Sequence, residues 1–559
     1  MAAPLIRDLI LEMVANAVEQ ARRDGVLQLE TVPEIQVEHP SNPQHGDFAT
    51  SLPLRLARAT RINPLRLAEE LVKYVPANDQ VERVAAAPPG FINFYLRARW
   101  VQQQVEVARQ AGVDYGRVDL GRQRKVMVEF VSVNPTGPVH VGHTRGAVLG
   151  STLANILEAA GYVVTREYYV NDAGSQMDAF YRSIYARYKQ VLGHPAEMPA
   201  NGYVGDYVTD LAKEIVARDG NRFLDLDEAT AIKQIGDIGR EKMVALIRQD
   251  LAQIGVVFDN WFSERWLYQN NEYARAMDLL RQKGYLSERE NALWFNSSLL
   301  GEDKDNVVVR SSGEPTYFAS DIAYHYNKFH LRSFEQVIDI WGADHQGHVP
   351  RMKAAAAALG INPEQLTILI CQLVTLKRGD EVVRASKRTG EFVTLRELSD
   401  EVGVDACRFF FLARAPGTQM EFDLELAKKE SSENPVYYIQ YAHARNSGIL
   451  ALARRQNIDW SPGDVSLLND PNELNLIRTM LRLPELVELM AGALEPHHLP
   501  HYAMELATAF HWFYENCRVI SAKPEDKDIT LARLKLVESA QIVFRRTLEL
   551  MGMSAPDHM

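Results

Sequence analysis

One stretch narrows the folds open to this chain more than any other. Residues 126–131 are an apolar run, Val-Met-Val-Glu-Phe-Val, that passes through a Pro/Gly turn into a helical pattern over Thr144–Ala160. Gly161 stands where a C-terminal glycine stop belongs, and Tyr162–Val170 is rich in aromatic and β-branched residues. Strand, helix and strand in that order favour a parallel sheet with a right-handed crossover. Ligands of such sheets bind beyond the carboxyl ends of the strands, which is where Glu129, Ser132 and Asn134 fall. Glu129 interrupts an apolar run, and an unpaired buried carboxylate is very unfavourable, so it must meet a cation of the protein or of a substrate.

His140 and His143 flank Gly142 where the helix begins. The free N–H groups of a helix start attract anions, two imidazoles add directed donors, and glycine lets a flat ligand approach the backbone. A second pair, His345 and His348, lies in Gly342-Ala-Asp-His-Gln-Gly-His348. With Asp344 these histidines make a set that could ligate zinc or iron. The Pro-rich approach to a helix start fits anions better, and capping or packing histidines are common. Phosphate binding, metal ligation and a structural role all remain open on these residues alone.

Two further segments carry chemistry. Val383-Arg-Ala-Ser-Lys-Arg-Thr-Gly390 follows a hairpin-like Arg378-Gly-Asp380. Its Lys387 and Arg388 could close on phosphates from a loop of small neighbours, or sit on a solvated turn. Tyr317 and Asp321 are four apart, so on a helix they face one way. A carboxylate beside a phenol suits a guanidinium; a helix-start Asp capping backbone N–H groups is the alternative.

At 559 residues the chain needs three or four domains. A net charge of −12 argues against a protein coated in nucleic acid but allows a local basic groove. No apolar run reaches the ~20 residues of a membrane span, and the start carries no visible secretory signal. Cys371, Cys407 and Cys517 are far apart among apolar neighbours, as expected of buried free thiols in a reducing cytoplasm. Residues 1–110 read as a separate α/β unit, with helical periodicity in Ile6–Ala21 and a strand at Phe91–Leu96. Further strands are expected at Gln336–Trp341 and Leu366–Leu376, with a mostly helical insertion over about 180–300. Past Asp405 the strand signal fades, and Leu474–Leu494, His501–Val519 and Ile529–Met551 predict a helical bundle. Pro484 should kink or split the first of these helices.

Together the motifs resemble the class I aminoacyl-tRNA synthetases, and specifically the bacterial-type arginyl-tRNA synthetases. The match runs nearly end to end. The stretch Ser132, Val133, Asn134, Pro135, Thr136, Gly137, Pro138, Val139, His140, Val141, Gly142 and His143 resembles the family's HIGH-type element. Gly342, Asp344 and His348 resemble its Gly-x-Asp-x-x-x-His element, and Arg384-Ala-Ser-Lys-Arg388 its KMSKS loop, with Arg384 and Ala385 departing from the signature. Tyr168 to Gly174, Asn42 to Phe48, Pro89 to Asn93 and Ser554-Ala-Pro also resemble the family's sequence.

The resemblance implies a multidomain α/β protein. Its parts would be an N-terminal tRNA-elbow domain (1–110), a Rossmann-like catalytic domain with a helical insertion (111–404) and an all-α anticodon-binding bundle (405–559). It implies arginine activation by ATP with Mg2+, then transfer to the 3′-terminal adenosine of tRNA(Arg), in a cytoplasmic monomer without a structural metal. His140, His143, Lys387 and Arg388 would be catalytic. His140, Gly142, His143, Gly342, Asp344, His348, Ser386 and Lys387 would hold ATP. Glu129, Ser132, Asn134, Tyr317, Asp321 and His345 would hold arginine. Phe91, Tyr437, Tyr441, Arg445 and Trp512, with His511 and Tyr514, would meet tRNA by stacking and charge, and Arg55, Arg58, Arg61 and Arg66 would form a basic face on the first domain.

Overall fold

A computed structural model describes residues 5–29, 31–383 and 393–559. Its centre is a five-stranded, all-parallel sheet. In spatial order the strands are Leu366–Cys371, Gln336–Gly342, Lys125–Glu129, Val163–Val170 and Asn260–Ser263. Lys125–Glu129 comes first in sequence and sits in the middle; later strands extend to one side and then to the other. The order therefore reverses beside it, which opens a crevice at its carboxyl end.

The Val141–Ala159 helix crosses from this strand to the next and buries most of its surface. It lies close because Gly150 faces Phe130: a Cβ there would come within 2.2 Å of the ring. The helix starts at Val141, three residues before its apolar periodicity, because His140 caps it.

The insertion is mostly helical, as expected, but it also carries short strands that were not expected. Helices Ser175–Val191, Asp206–Asp219 and Glu228–Gln253 pack on one another. Then Asn260–Ser263 returns to the main sheet as its edge strand. Leu286–Arg289, Ala292–Phe295 and Asn306–Val309 form a small antiparallel sheet. These strands are four residues each, too short for period-2 alternation to register in sequence.

Three further expectations need correction. The Leu366–Leu376 strand is two strands, because the chain leaves the main sheet at Gln372. There its carbonyl accepts from Arg145 at 3.0 Å and its N–H donates to Pro416 O at 2.9 Å. The second piece, Val374–Arg378, pairs with Glu381–Val382 as a hairpin and with Met420–Asp423, a strand inside the region expected to be all helix. Pro484 does not split its helix, which runs unbroken over Pro471–Ala493. The carbonyl that proline deprives of a partner, Met480 O, accepts from the hydroxyls of Tyr115 at 3.1 Å and Tyr502 at 3.4 Å.

The N-terminal unit carries an antiparallel sheet, with Phe91–Leu96 between Phe48–Thr50 and Val81–Ala87. It docks on the C-terminal helices through Arg7–Glu488 at 2.6 Å, His39–Glu485 at 2.9 Å and an Arg478–Asp47 pair. Helix Ala98–Ala111 lies against Pro471–Ala493 and Lys527–Met551, with Arg109 Nε to Glu538 and Lys535 to Glu106, each at 2.6 Å. All three cysteines are buried and free. Among the described residues no helix is long and apolar enough to cross a membrane.

Candidate active site

Three acidic residues stand side by side across the central strands. Asp339 is in register with Glu129, and Glu129 with Glu167. All three are buried. Their neutralising cations come from one segment, the Tyr317–Tyr326 helix and the turn after it. Lys328 Nζ, fully buried, reaches Glu129 Oε2 at 2.5 Å and Asp339 Oδ1 at 2.8 Å. Arg332 grips Glu167 with two bonds of 2.7 and 2.6 Å, and Tyr324 donates to it at 2.5 Å. His325 bonds Asp339 at 2.9 Å. Burial disfavours the Asp339 charge, but Lys328 and His325 outweigh it and hold its carboxyl down at about 2. Burial pushes Glu129 up, with Lys328 opposing. The cation that Glu129 required is thus, at least in part, the protein's own Lys328.

Beyond Glu129 the strand exit is strained. Val131 and Ser132 adopt φ of 69° and 44°, a left-handed conformation rare for a β-branched residue. The turn is held from neighbouring elements. Ser132 Oγ accepts from Tyr169 N–H at 3.1 Å, Tyr168 donates to Val133 O at 2.9 Å, and Tyr207 donates to Thr136 O at 2.7 Å. Asn134 is bonded to Gln176.

At the helix start, His140 Nδ1 accepts from Gly142 N–H at 3.2 Å. The ring lies so close that a Cβ on residue 142 would come within 2.9 Å of it. The cap therefore needs a glycine at position 142. The His140 and His143 rings are 4.1 Å apart. Burial lowers the pKa of both, and for His143 the neighbouring His140 adds to burial and takes it to about 3. Both are neutral near pH 7, with N–H donors and no charge to repel one another. Asp344 is near enough to oppose the His143 shift, so the sheet brings the two histidine motifs together. Among the described residues, no three of His140, His143, Asp344, His345 and His348 bring ligand atoms within 4.8 Å of one another, which leaves the metal reading without support.

A cleft of about 290 Å³ runs between His140, Val141 and Gly142 and the hairpin residues Thr375, Leu376 and Val383. Val141 N–H donates to Val393 O at 2.9 Å and Leu395 N–H to Val139 O at 2.8 Å, so the helix start is stitched to the chain just past residue 392. Arg384, Ala385, Ser386, Lys387 and Arg388 lie outside the described residues. Arg145, one turn into the helix, is buried and donates to four carbonyls, of Gln372, Arg414, Ala415 and Thr418. It fixes the base of the hairpin that precedes residues 384–388 in sequence.

On the other side of the crevice lies an acidic pocket. Thr316 is the N-terminal flanking residue of the Tyr317–Tyr326 helix, so Asp321, a turn and more inside it, is not its cap. Burial raises the Asp321 carboxyl, opposed by His325, Arg351, Lys328 and His345. Tyr317 is exposed, and its hydroxyl stands 3.2 Å from where a Cβ of Gly174 would be. Sequence reasoning missed the next members. Glu264 starts a short helix after the edge strand; it is buried, and its Oε2 has no hydrogen-bond partner. Its carboxyl is pushed up to about 7 by burial, with Asp321 and Asp172 adding to it against a Ser320 bond. The Tyr169 hydroxyl and Asn171 Oδ1 are likewise buried without partners. The charges of Glu264, Asp321 and Glu129 all bear on Tyr169. Acidic groups with orphaned oxygens await donors, and a planar cation with several N–H groups supplies them. The sequence signals for Tyr169 and Asn171 were their place at the end of a strand and within the family-like stretch Tyr168 to Gly174, neither of which gave them a role. Glu264 had none.

Farther off, Arg445 lies 4.8 Å from the Tyr441 ring and 4.5 Å from that of Tyr514, Tyr437 stacks near Tyr441, and Trp512 is 58% exposed. Phe91 is half-buried, while Arg55, Arg58, Arg61 and Arg66 are exposed.

Comparison with known proteins agrees along the whole chain. Residues 6–96 match the arginyl tRNA synthetase N terminal domain, 104–410 the class I (R) tRNA synthetase catalytic domain, and 439–559 the DALR anticodon binding domain. An arginine–tRNA ligase of Dehalococcoides mccartyi is 55% identical over 99% of both chains. One of Carboxydothermus hydrogenoformans is 46% identical over 99% of this chain and all of its own. Thermus thermophilus arginyl-tRNA synthetase, 22% identical, shares the fold at a TM-score of 0.78 over 99% of this chain and 100% of that one. The chain belongs to the arginyl-tRNA synthetases, class I enzymes that use ATP and bind tRNA, and its activity is arginine–tRNA ligation.

Proposed function

We propose that the crevice beside Lys125–Glu129 performs the reaction in two steps. The arginine carboxylate attacks the α-phosphorus of ATP, giving arginyl-adenylate and pyrophosphate. The 3′-terminal adenosine of tRNA(Arg) then takes the arginyl group, first on its 2′-hydroxyl, and AMP leaves. The observation that carries this reading is the pairing of two unlike halves across one crevice. One half is a helix start with two neutral imidazoles, the other a pocket of acidic and orphaned acceptors.

In this reading His140, Gly142 and His143 contact the ATP phosphates, and Gly342, Asp344 and His348 hold the nucleoside. Neutral imidazoles donate hydrogen bonds to the charge that develops on the phosphates without needing a proton first. Lys387, with Arg388, neutralises the leaving pyrophosphate, and Ser386 contacts ATP. Asp321, Tyr317 and Glu264 receive the guanidinium, with Glu129 and His345 nearby, while Ser132 and Asn134 address the α-amino and carboxylate ends. Such a pocket rejects citrulline, which brings no charge to the buried acids, and lysine, whose ammonium cannot span them. Magnesium enters with ATP, held largely by its phosphates. The side chains at the helix start are imidazoles, not the oxygen cage of a dedicated Mg2+ site.

The division into 1–110, 111–404 and 405–559 then assigns elbow contact, chemistry and anticodon contact in turn. Phe91, Tyr437, Tyr441, Arg445 and Trp512 are tRNA contacts in this reading, and the enzyme acts as a cytoplasmic monomer. ATP–pyrophosphate exchange is the test. Exchange that requires arginine and rises with tRNA(Arg) is expected; its absence with all three substrates present refutes the mechanism.

A further inference from the structure

The turn between helices Pro471–Ala493 and His498–Asn516 gathers side chains that the ligase reaction does not use. Glu495, His497 and His498 each offer one ligand atom, and the three atoms lie within 4.8 Å of one another. Glu495 Oε2 and His498 Nε2 are 3.0 Å apart, and the two imidazole rings lie 4.3 Å centre to centre. His501, exposed one turn along the helix, is near enough to bear on His497.

Packing alone does not explain this arrangement. His497 Nδ1 is buried and makes no hydrogen bond. An orphaned buried nitrogen is costly unless something outside the chain partners it. Nothing in the site resembles an anion receptor, since Glu495 adds negative charge.

We propose that Glu495, His497 and His498 bind a divalent transition-metal ion of the zinc class, with His501 or water completing the shell. Two imidazoles and one carboxylate suit Zn2+, Ni2+ or Co2+ and are poor hosts for Mg2+ or Ca2+, which prefer all-oxygen sets. The bound ion ties the end of one long helix to the start of the next. No reaction step passes through it.

The full-length chain, stripped with chelator, is titrated with Zn2+ by calorimetry. One saturable equivalent is expected, with affinity at least tenfold weaker in H498A and in E495Q. Glu495 is exposed, so E495Q does not endanger folding; H194A, on a distant exposed turn, serves as the unchanged control. Hydrogen exchange adds a site-specific readout: Zn2+ should slow amide exchange in residues 494–502 of the parent and not of E495Q. The proposal is overturned if the parent shows no saturable binding, or if E495Q and H498A bind as the parent does. It is equally overturned if binding disappears in H143A but persists in E495Q, because the ion then loads adventitiously beside the catalytic histidines.

Discussion

Asp321 carries the sharpest prediction at the scale of single residues. It lies half-buried among orphaned acceptors, so a guanidinium bound there loses a charge-assisted pair when the carboxylate goes. Asp321→Ala is expected to raise the KM for arginine about 100-fold, equivalent to ~3 kcal/mol, and the KM for ATP less than threefold. Steady-state kinetics in both substrates decide it; equal effects remove Asp321 from the guanidinium role. Glu264 adds a pH signature. Its carboxyl, pushed up to about 7, is mostly protonated at pH 6 and ionised at pH 8. A cation then binds better as pH rises, and a single group titrating there lowers the arginine KM by about tenfold across that window. E264Q should flatten the profile. A flat profile in the parent enzyme rejects Glu264 as a contact. His143, by contrast, titrates far below this window and adds no acid limb near neutrality.

Lys328 shows what elements decide together. The periodicity of residues 126–131 announced a buried strand and an acid on it, but not the row of acids across three strands. That row appears only when Asp339, Glu129 and Glu167 come into register. Lys328→Met leaves Glu129 and Asp339 buried without their shared cation. We expect a loss of about 3–5 kcal/mol, read as a lower thermal midpoint at pH 7 and partly recovered under mild acid as the carboxyls protonate. A midpoint within one degree of the parent's contradicts this account. The Pro471–Ala493 helix teaches the same lesson. Proline predicts a break from local chemistry alone, whereas Tyr115 and Tyr502, distant in sequence, satisfy the carbonyl it frees. The strand Met420–Asp423 is short, and it exists because Val374–Arg378 lies beside it.

Over the whole molecule, the first hundred residues and the last hundred are docked on one another by ion pairs, with the catalytic sheet between them in sequence. If the half-buried Arg445, with Tyr441 and the exposed Tyr514 and Trp512 beside it, meets anticodon bases, reversing its charge should act on tRNA and not on chemistry. Arg445→Glu is expected to raise the KM for tRNA at least tenfold in aminoacylation and to leave the KM values for arginine and ATP unchanged. An unchanged tRNA KM removes the patch from the interface. The sequence by itself announced the parallel-sheet class and the helical end, because periodicity and caps are written in neighbouring residues; His140, His143, Tyr317 and Asp321 came forward as candidates through the resemblance of their motifs. Only the tertiary structure decided that Lys328 meets Glu129, that Glu264, Tyr169 and Asn171 join Asp321, and that Asp344 lies near enough to act on His143. Those facts depend on groups brought together from distant segments, where burial and charge act through space and leave no local pattern to read.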